Sequence, residues 1–144
     1  MASGHGSADE AAVWIDELTT DDCWRLLGEA VVGRLCFVTD GEPAVLPVNH
    51  LVNDLSIVIR TARSGSLERL SGGATVAFEV DDLDRVSQTG WSVVVRGYIS
   101  EIVDPAELAI AANLPLHAWA SGVRDHWLRI RPWAVTGRSI RLRD

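Results

Sequence analysis

Residues 35–61 read Leu-Cys-Phe-Val-Thr-Asp-Gly-Glu-Pro-Ala-Val-Leu-Pro-Val-Asn-His-Leu-Val-Asn-Asp-Leu-Ser-Ile-Val-Ile-Arg-Thr. Three short β-rich runs, Leu35 to Thr39, Ala44 to Leu51 and Leu55 to Arg60, are divided by the turn pairs Asp40-Gly41 and Asn53-Asp54. An Asp-Gly pair between β-rich runs is a strong short-range hairpin signal, so the stretch predicts a three-strand meander.

The same period of two continues downstream. Thr75 to Val80 predicts a fourth strand and Trp91 to Val103 a long fifth, with Gly97 marking a bulge or bend. Trp127 to Arg131 and Val135 to Leu142 predict the last two strands, split near Pro132. The polar segment Asp81 to Gly90 reads as a loop. Its acidic trio Asp81, Asp82 and Asp84 has Arg85 beside it and no histidine, so it reads as a solvated turn rather than a metal cluster. Thr19 to Val31 is helical, with a Thr cap, Asp21 and Asp22 in the first turn, and Cys23, Leu27 and Val31 on one face. Gly33 is placed to end it. Asp104-Pro105 starts a helix to about Asn113, Leu114 to Ser121 suggests a short turn, and Ser66 to Leu70 suggests one helical turn. Short strands at short spacing with few helices predict a mainly β fold closed into a small barrel, a single domain over 13–144 behind a flexible tail over 1–12.

Composition narrows the function classes. The chain has 144 residues, 47% of them hydrophobic, and a net charge of −7, which disfavours nucleic acid as a partner. Its 13 basic residues are all arginine, so an anion site here must use guanidinium, hydroxyl or backbone N–H groups. Cys23 and Cys36 are too few for a disulfide framework and read as reduced thiols of a cytoplasmic protein. No run of 18 apolar residues predicts a membrane span, and the start resembles no signal peptide.

Three segments carry candidate chemistry. Arg60-Thr61-Ala62-Arg63-Ser64-Gly65-Ser66-Leu67 joins a strand end to a helical turn through two arginines, three hydroxyls and a glycine. This composition suits a phosphate cradle, although on local sequence alone an ordinary polar loop with solvated arginines is the favoured reading. Pro47-Val48-Asn49-His50 places proline inside a strand, which confines that strand to an edge or to a place where a ladder bond is not needed, and there exposed main-chain groups can meet a planar ligand. Trp91 and Ser92 open the fifth strand after Gln88-Thr89-Gly90, with Arg96 further along. Triad, HExxH, Walker and GxGxxG motifs are all absent.

The ordered set Gly33-Arg34-Leu35, Pro47-Val48-Asn49, Ile57 to Thr61, Val76 to Asp81, Gly90 to Val93, Arg96-Gly97, Ile130-Arg131-Pro132 and Thr136-Gly137-Arg138 resembles the pyridoxamine 5′-phosphate oxidase-like family, the FMN-binding split barrels. The resemblance spans roughly Leu18 to Leu142. It implies a split β-barrel homodimer with flavin at the subunit interface, acting as an oxidoreductase on a small molecule. Pro47, Val48 and Asn49 would line the flavin ring. Arg60, Thr61, Arg63, Ser64 and Ser66 would hold its phosphate, and Trp91 and Ser92 would approach from the partner. FMN is the expected cofactor, with a deazaflavin as alternative and FAD or haem behind them. A haem-binding relative draws attention to His50, His117 and His126. Many relatives have lysine where this chain has Ser66, and the basic Leu-Xaa-Pro tail of genuine pyridoxamine phosphate oxidases is missing, so vitamin B6 synthesis is only a minor alternative. A non-catalytic flavin- or haem-binding protein and a cofactor-free dimeric barrel are the competing readings.

Overall fold

The computed structural model describes residues 13–62, 65–116 and 126–142. The expected tail over 1–12 lies outside them, as does most of the expected turn over residues 114–121. In chain order the elements are β1 (Val13–Glu17), α1 (Thr20–Glu29), β2 (Val32–Thr39), β3 (Glu42–Asn53), β4 (Ser56–Thr61), a 3-10 turn (Ser66–Leu70), β5 (Ala74–Asp84), β6 (Thr89–Glu101), α2 (Pro105–Ala112) and β7 (His126–Leu142). The strands run β1-β7-β4-β3-β2-β5-β6, and β6 pairs back onto β7. Six antiparallel strands therefore close a barrel, with β1 added along the far end of β7. This is the mainly β split barrel expected from the sequence.

The turns fix the meander. Asp40 and Gly41 both take positive φ, 52° and 75°, as a two-residue type I′ hairpin demands. The second hairpin turns on Asp54 and Leu55, with φ of 48° and 53°. Leu55 is thus a turn residue, and β4 begins one residue later than its apolar pattern suggested.

Alternation fills the barrel. Leu35, Phe37, Ile57, Ile59, Phe78 and Val95 point inward and are buried. Helix α1 closes one end with Cys23, Leu26 and Leu27. Thr19 Oγ1 accepts the Asp22 N–H at 3.1 Å, which is the expected cap. The helix stops at Glu29, earlier than its periodicity implied, because Ala30 is already extended. Gly33 is no helix terminator: it lies within β2, where a Cβ would sit 2.1 Å from the Phe78 ring. A second, smaller core lies outside the barrel, where α2 covers Val58, Ile102 and Trp127.

Three expectations are corrected. The segment from Asp81 is not a loop: β5 runs to Asp84 and pairs with β6 out to Asp84 opposite Thr89. These residues are largely exposed and polar, so alternation carried no signal there. Asp84 then accepts the N–H groups of Val86 and Ser87, which hold its carboxyl below the usual range. The last two expected strands are one strand, β7, and the irregularity at Pro132 is a bulge. Arg96 pairs with Ala134 and Gly97 with Pro132, so Trp133 is the extra residue. Gly97 is required opposite it, since a Cβ would lie 2.5 Å from the Arg131 carbonyl oxygen. Finally, β1 was unforeseen because all five of its residues are exposed. Its ladder to residues 138–142 forms it, helped by Arg141 and Asp16 at 3.5 Å.

His50 ties the helix to the barrel. It is buried, its Nε2 donates to the Leu27 carbonyl at 2.8 Å, and its ring meets Phe78 edge-on at 4.9 Å. Burial pushes its pKa below the ordinary value. The unfolded chain therefore gains a proton as pH falls through about 6.5 while the folded chain resists, so His50's contribution is present above that pH and lost as pH falls through the folded value. Denaturant titrations from pH 7 to pH 5 should show a smaller loss of stability for His50→Gln than for the native chain, because glutamine keeps the donor and cannot titrate.

Candidate functional site

The β3–β4 ladder stops at His50 opposite Ile59. The next positions, Asn49 and Arg60, diverge, and residues 42–49 of β3 pair with β2 alone. A fork opens between β3 and the end of β4. The His50 N–H donates to the Val31 carbonyl on the β2 side at 3.2 Å. Antiparallel alternation then turns the main-chain groups of 43, 45, 47 and 49 toward the fork. Pro43 and Pro47 stand at two of those four positions, where a proline leaves no N–H unsatisfied. Of the two placements expected for Pro47, the structure shows the second: β3 lies within the sheet, and Pro47 stands where no ladder bond is made. Pro47 is exposed, Val48 packs inward on the barrel core, and Asn49 is half-buried where the strands part.

The other wall is the end of β4, Arg60 and Thr61. The Arg60 guanidinium lies 5.0 Å over the centre of the buried Trp127 ring. This cation–π contact holds the charge at the strand end. Thr61 pairs with His126, which is fully buried, with Nε2 2.8 Å from Ser71 Oγ and 3.8 Å from Glu101 Oε1. Arg63 and Ser64 lie outside the described residues. Gly65 has φ of 91° and open space where a Cβ would stand. Ser66 is exposed and begins the 3-10 turn, which Leu67 and Leu70 anchor in the core. The expected helical start is thus a single 3-10 turn, too short for a helix dipole to contribute much. Any anion held here rests on arginine and hydroxyl groups.

The structure separates Trp91 and Ser92 from the fork. They lie on β6, which reaches β4 through β7 alone, but at the other end of that strand: Ser92 pairs with Arg138 of β7, whereas Arg60 pairs with Trp127. An offset of that many residues along β7 is on the order of 30 Å. Trp91 packs on the barrel core, and Ser92 lines a cleft of about 670 Å³ with Leu18, Gly137 and Arg138. Within one chain these residues are no part of the fork.

Sequence reasoning missed Trp127 and Trp133. Trp127, the shelf under Arg60, carried no signal apart from a strand position. Trp133 is turned outward by the bulge and is 60% exposed. It lines an apolar face with Cys36, Val38, Pro43, Val45 and Ala77. Arg34 borders that face, paired with Glu79 at 2.9 Å and Asp81 at 2.6 Å. This ion-paired group is where part of the acidic trio belongs, and among the described residues no cluster suits a metal. Burial pushes both thiols up, and Asp22 and Glu79 add to this at Cys23 and Cys36 respectively, so neither is an activated nucleophile. His50 and His126 are both held in internal contacts, and His117 lies outside the described residues.

The sequence profile of the pyridoxamine 5′-phosphate oxidase family matches residues 19–139. An uncharacterized protein of Mycobacterium tuberculosis is 38% identical over 139 residues, covering 93% of this chain and 91% of that protein. The structure of an FAD binding protein from Mycobacterium smegmatis shares 33% identity with a TM-score of 0.75, over 87% of this chain and 98% of that one. An FAD-binding protein from Mesorhizobium loti has the same fold at 23% identity, with a TM-score of 0.76 over 90% and 98% of the two chains. The chain belongs to the pyridoxamine 5′-phosphate oxidase family.

Proposed function

We propose that the protein is a homodimeric flavin-binding oxidoreductase whose cofactor enters the fork between β3 and β4. The observation that carries the reading is the fork itself. One wall is a main-chain edge cleared of N–H groups at two of its four facing positions, which suits a flat conjugated ring. The other ends in Arg60 on its Trp127 shelf, followed by Thr61, Arg63, Ser64 and Ser66, which suit phosphate. The roomy, positive-φ Gly65 lets the backbone approach a phosphate without steric conflict.

The proposed cofactor is FAD rather than the FMN implied by the family resemblance, because the M. smegmatis relative at 33% identity is an FAD binding protein. When bound, a flavin supplies hydride transfer. The chain's own groups orient it: Pro47 bounds the ring side, Asn49 lies at the base, and Arg60 with the following hydroxyls neutralises phosphate, while Val48, packed on the barrel core, supports the strand from behind. A small organic molecule is the proposed substrate.

A second copy completes the site in this reading. Trp133, Val38 and Val45 form an exposed apolar face, and a two-fold partner would bury it while bringing its own Trp91 and Ser92 toward the fork. Two unbridged thiols, Cys23 and Cys36, suit a cytoplasmic location. Among the described residues no helix is long and apolar enough to cross a membrane.

Size-exclusion chromatography with light scattering and absorbance detection, after incubation with FAD, tests both parts. The expected species absorbs in the flavin region, holds one flavin per chain and has about twice the 15.7 kDa chain mass. A colourless monomer after incubation with FAD and with FMN would sink the reading.

A further inference from the structure

At the opposite end of β4 from the fork lies a second pocket, of about 450 Å³, lined among others by Asn53, Ser56, Ile110, Arg129 and Arg131. Arg129 is 8% exposed. Its Nη1 donates to Ser56 Oγ at 2.5 Å and to Asn53 Oδ1 at 3.3 Å, both neutral groups. Its buried Nε has no hydrogen-bond partner. Among the described residues no carboxylate lies within ion-pair distance of it. The nearby carboxylate Glu107 is spoken for by Arg131 at 3.6 Å, and Asp54 is the only other acid lining the pocket. A guanidinium in ordinary structural use is buried against a carboxylate, because an uncompensated buried charge is costly. Ser56 does not need it, since its hydroxyl already donates to the Asn53 carbonyl.

We infer that this pocket is a binding site for a small amphipathic oxyanion, a carboxylate or phosphate monoester, whose charge Arg129 compensates. Nη1 is taken up by Ser56 and Asn53 and Nε is buried, which leaves Nη2 as the donor open to the pocket, and a guanidinium N–H gives an oxyanion oxygen a charge-assisted hydrogen bond. Leu55, Ile110 and Pro132 supply an apolar wall for the rest of the molecule, and Leu55 and Ile110 are 66% and 57% exposed. The site is distinct from the fork. Ser56 stands four residues before Arg60, roughly 13 Å along the strand.

Calorimetric titration of the purified protein with hexanoate, hexyl phosphate and 1-hexanol tests the inference. At least one of the two anions should bind with a Kd on the order of 1 mM or tighter, and the alcohol at least tenfold more weakly. Arg129→Met, which keeps the volume and removes the charge, should weaken that anion at least tenfold. Its melting temperature in anion-free buffer should be no lower than that of the native chain, because a charge without a carboxylate partner has been removed. Ile110→Glu leaves Arg129 intact, alters only an exposed wall residue, and should weaken the anion by about threefold or more through repulsion. Failure of both anions to bind, equal binding of 1-hexanol, or undiminished anion affinity in both variants would overturn the inference.

Discussion

Arg60→Ala should weaken binding of FAD, and of FMN where it binds, by roughly 2–5 kcal/mol, the cost of leaving a buried charge without its partner. That is about 30-fold to several-thousand-fold in Kd. Arg60 is the described cation at the mouth of the fork, and Trp127 sets its direction. Riboflavin lacks the phosphate and should lose far less, which separates a phosphate contact from a general disturbance of β4. Arg60→Lys keeps the charge, gives up the planar fork of donors and should fall between the two. Quenching of flavin fluorescence during titration measures all three ligands. Equal losses for FAD and riboflavin would make Arg60 a structural residue.

Phe78→Ala should destabilise the fold by about 3–5 kcal/mol, the usual cost of a buried phenylalanine truncated to alanine. Phe78 is fully buried, occupies the space over Gly33 and receives the edge of His50. Its loss opens a cavity beneath α1 and beside β3. The contact with Gly33 offers an internal control. In the native chain an alanine at position 33 would meet the Phe78 ring at 2.1 Å. Without the ring its methyl group has room, so Gly33→Ala should cost less in the Phe78→Ala background than in the native one. Urea denaturation of the four chains gives this coupling directly. Additive losses would mean that the Phe78 ring moves aside at little cost.

The meander was legible because its signals are local. Asp40-Gly41 dictates its own backbone, and Leu35, Phe37, Ile57 and Ile59 face one side by alternation. The Arg60-to-Leu67 and Pro47-to-Asn49 segments could be singled out for the same reason, since their unusual composition is contiguous. Residues 81–84 and β1 were not legible as strands. Their side chains are exposed, so only pairing makes them strands, across a hairpin with residues 89–92 for the first and with the remote residues 138–142 for β1. Pro132 looked like a break because a proline has no N–H to donate. The ladder accommodates it by bulging at Trp133, a solution available only with Gly97 opposite.

By itself the sequence determined a small mainly β barrel, one domain, an arginine-only anion chemistry and the two segments that form the fork. Each comes from backbone preference, side-chain periodicity or composition, which act over a few residues. Tertiary structure alone decided that the β3–β4 ladder ends at His50 and Ile59, that Trp127 lies beneath Arg60, and that Trp91 and Ser92 pair with the end of β7 far from the segment that pairs with β4. It alone left Arg129 buried with no carboxylate in ion-pair distance among the described residues. Those facts depend on strand register and barrel closure, which bring together residues as far apart as 53 and 129, and no local pattern encodes that meeting.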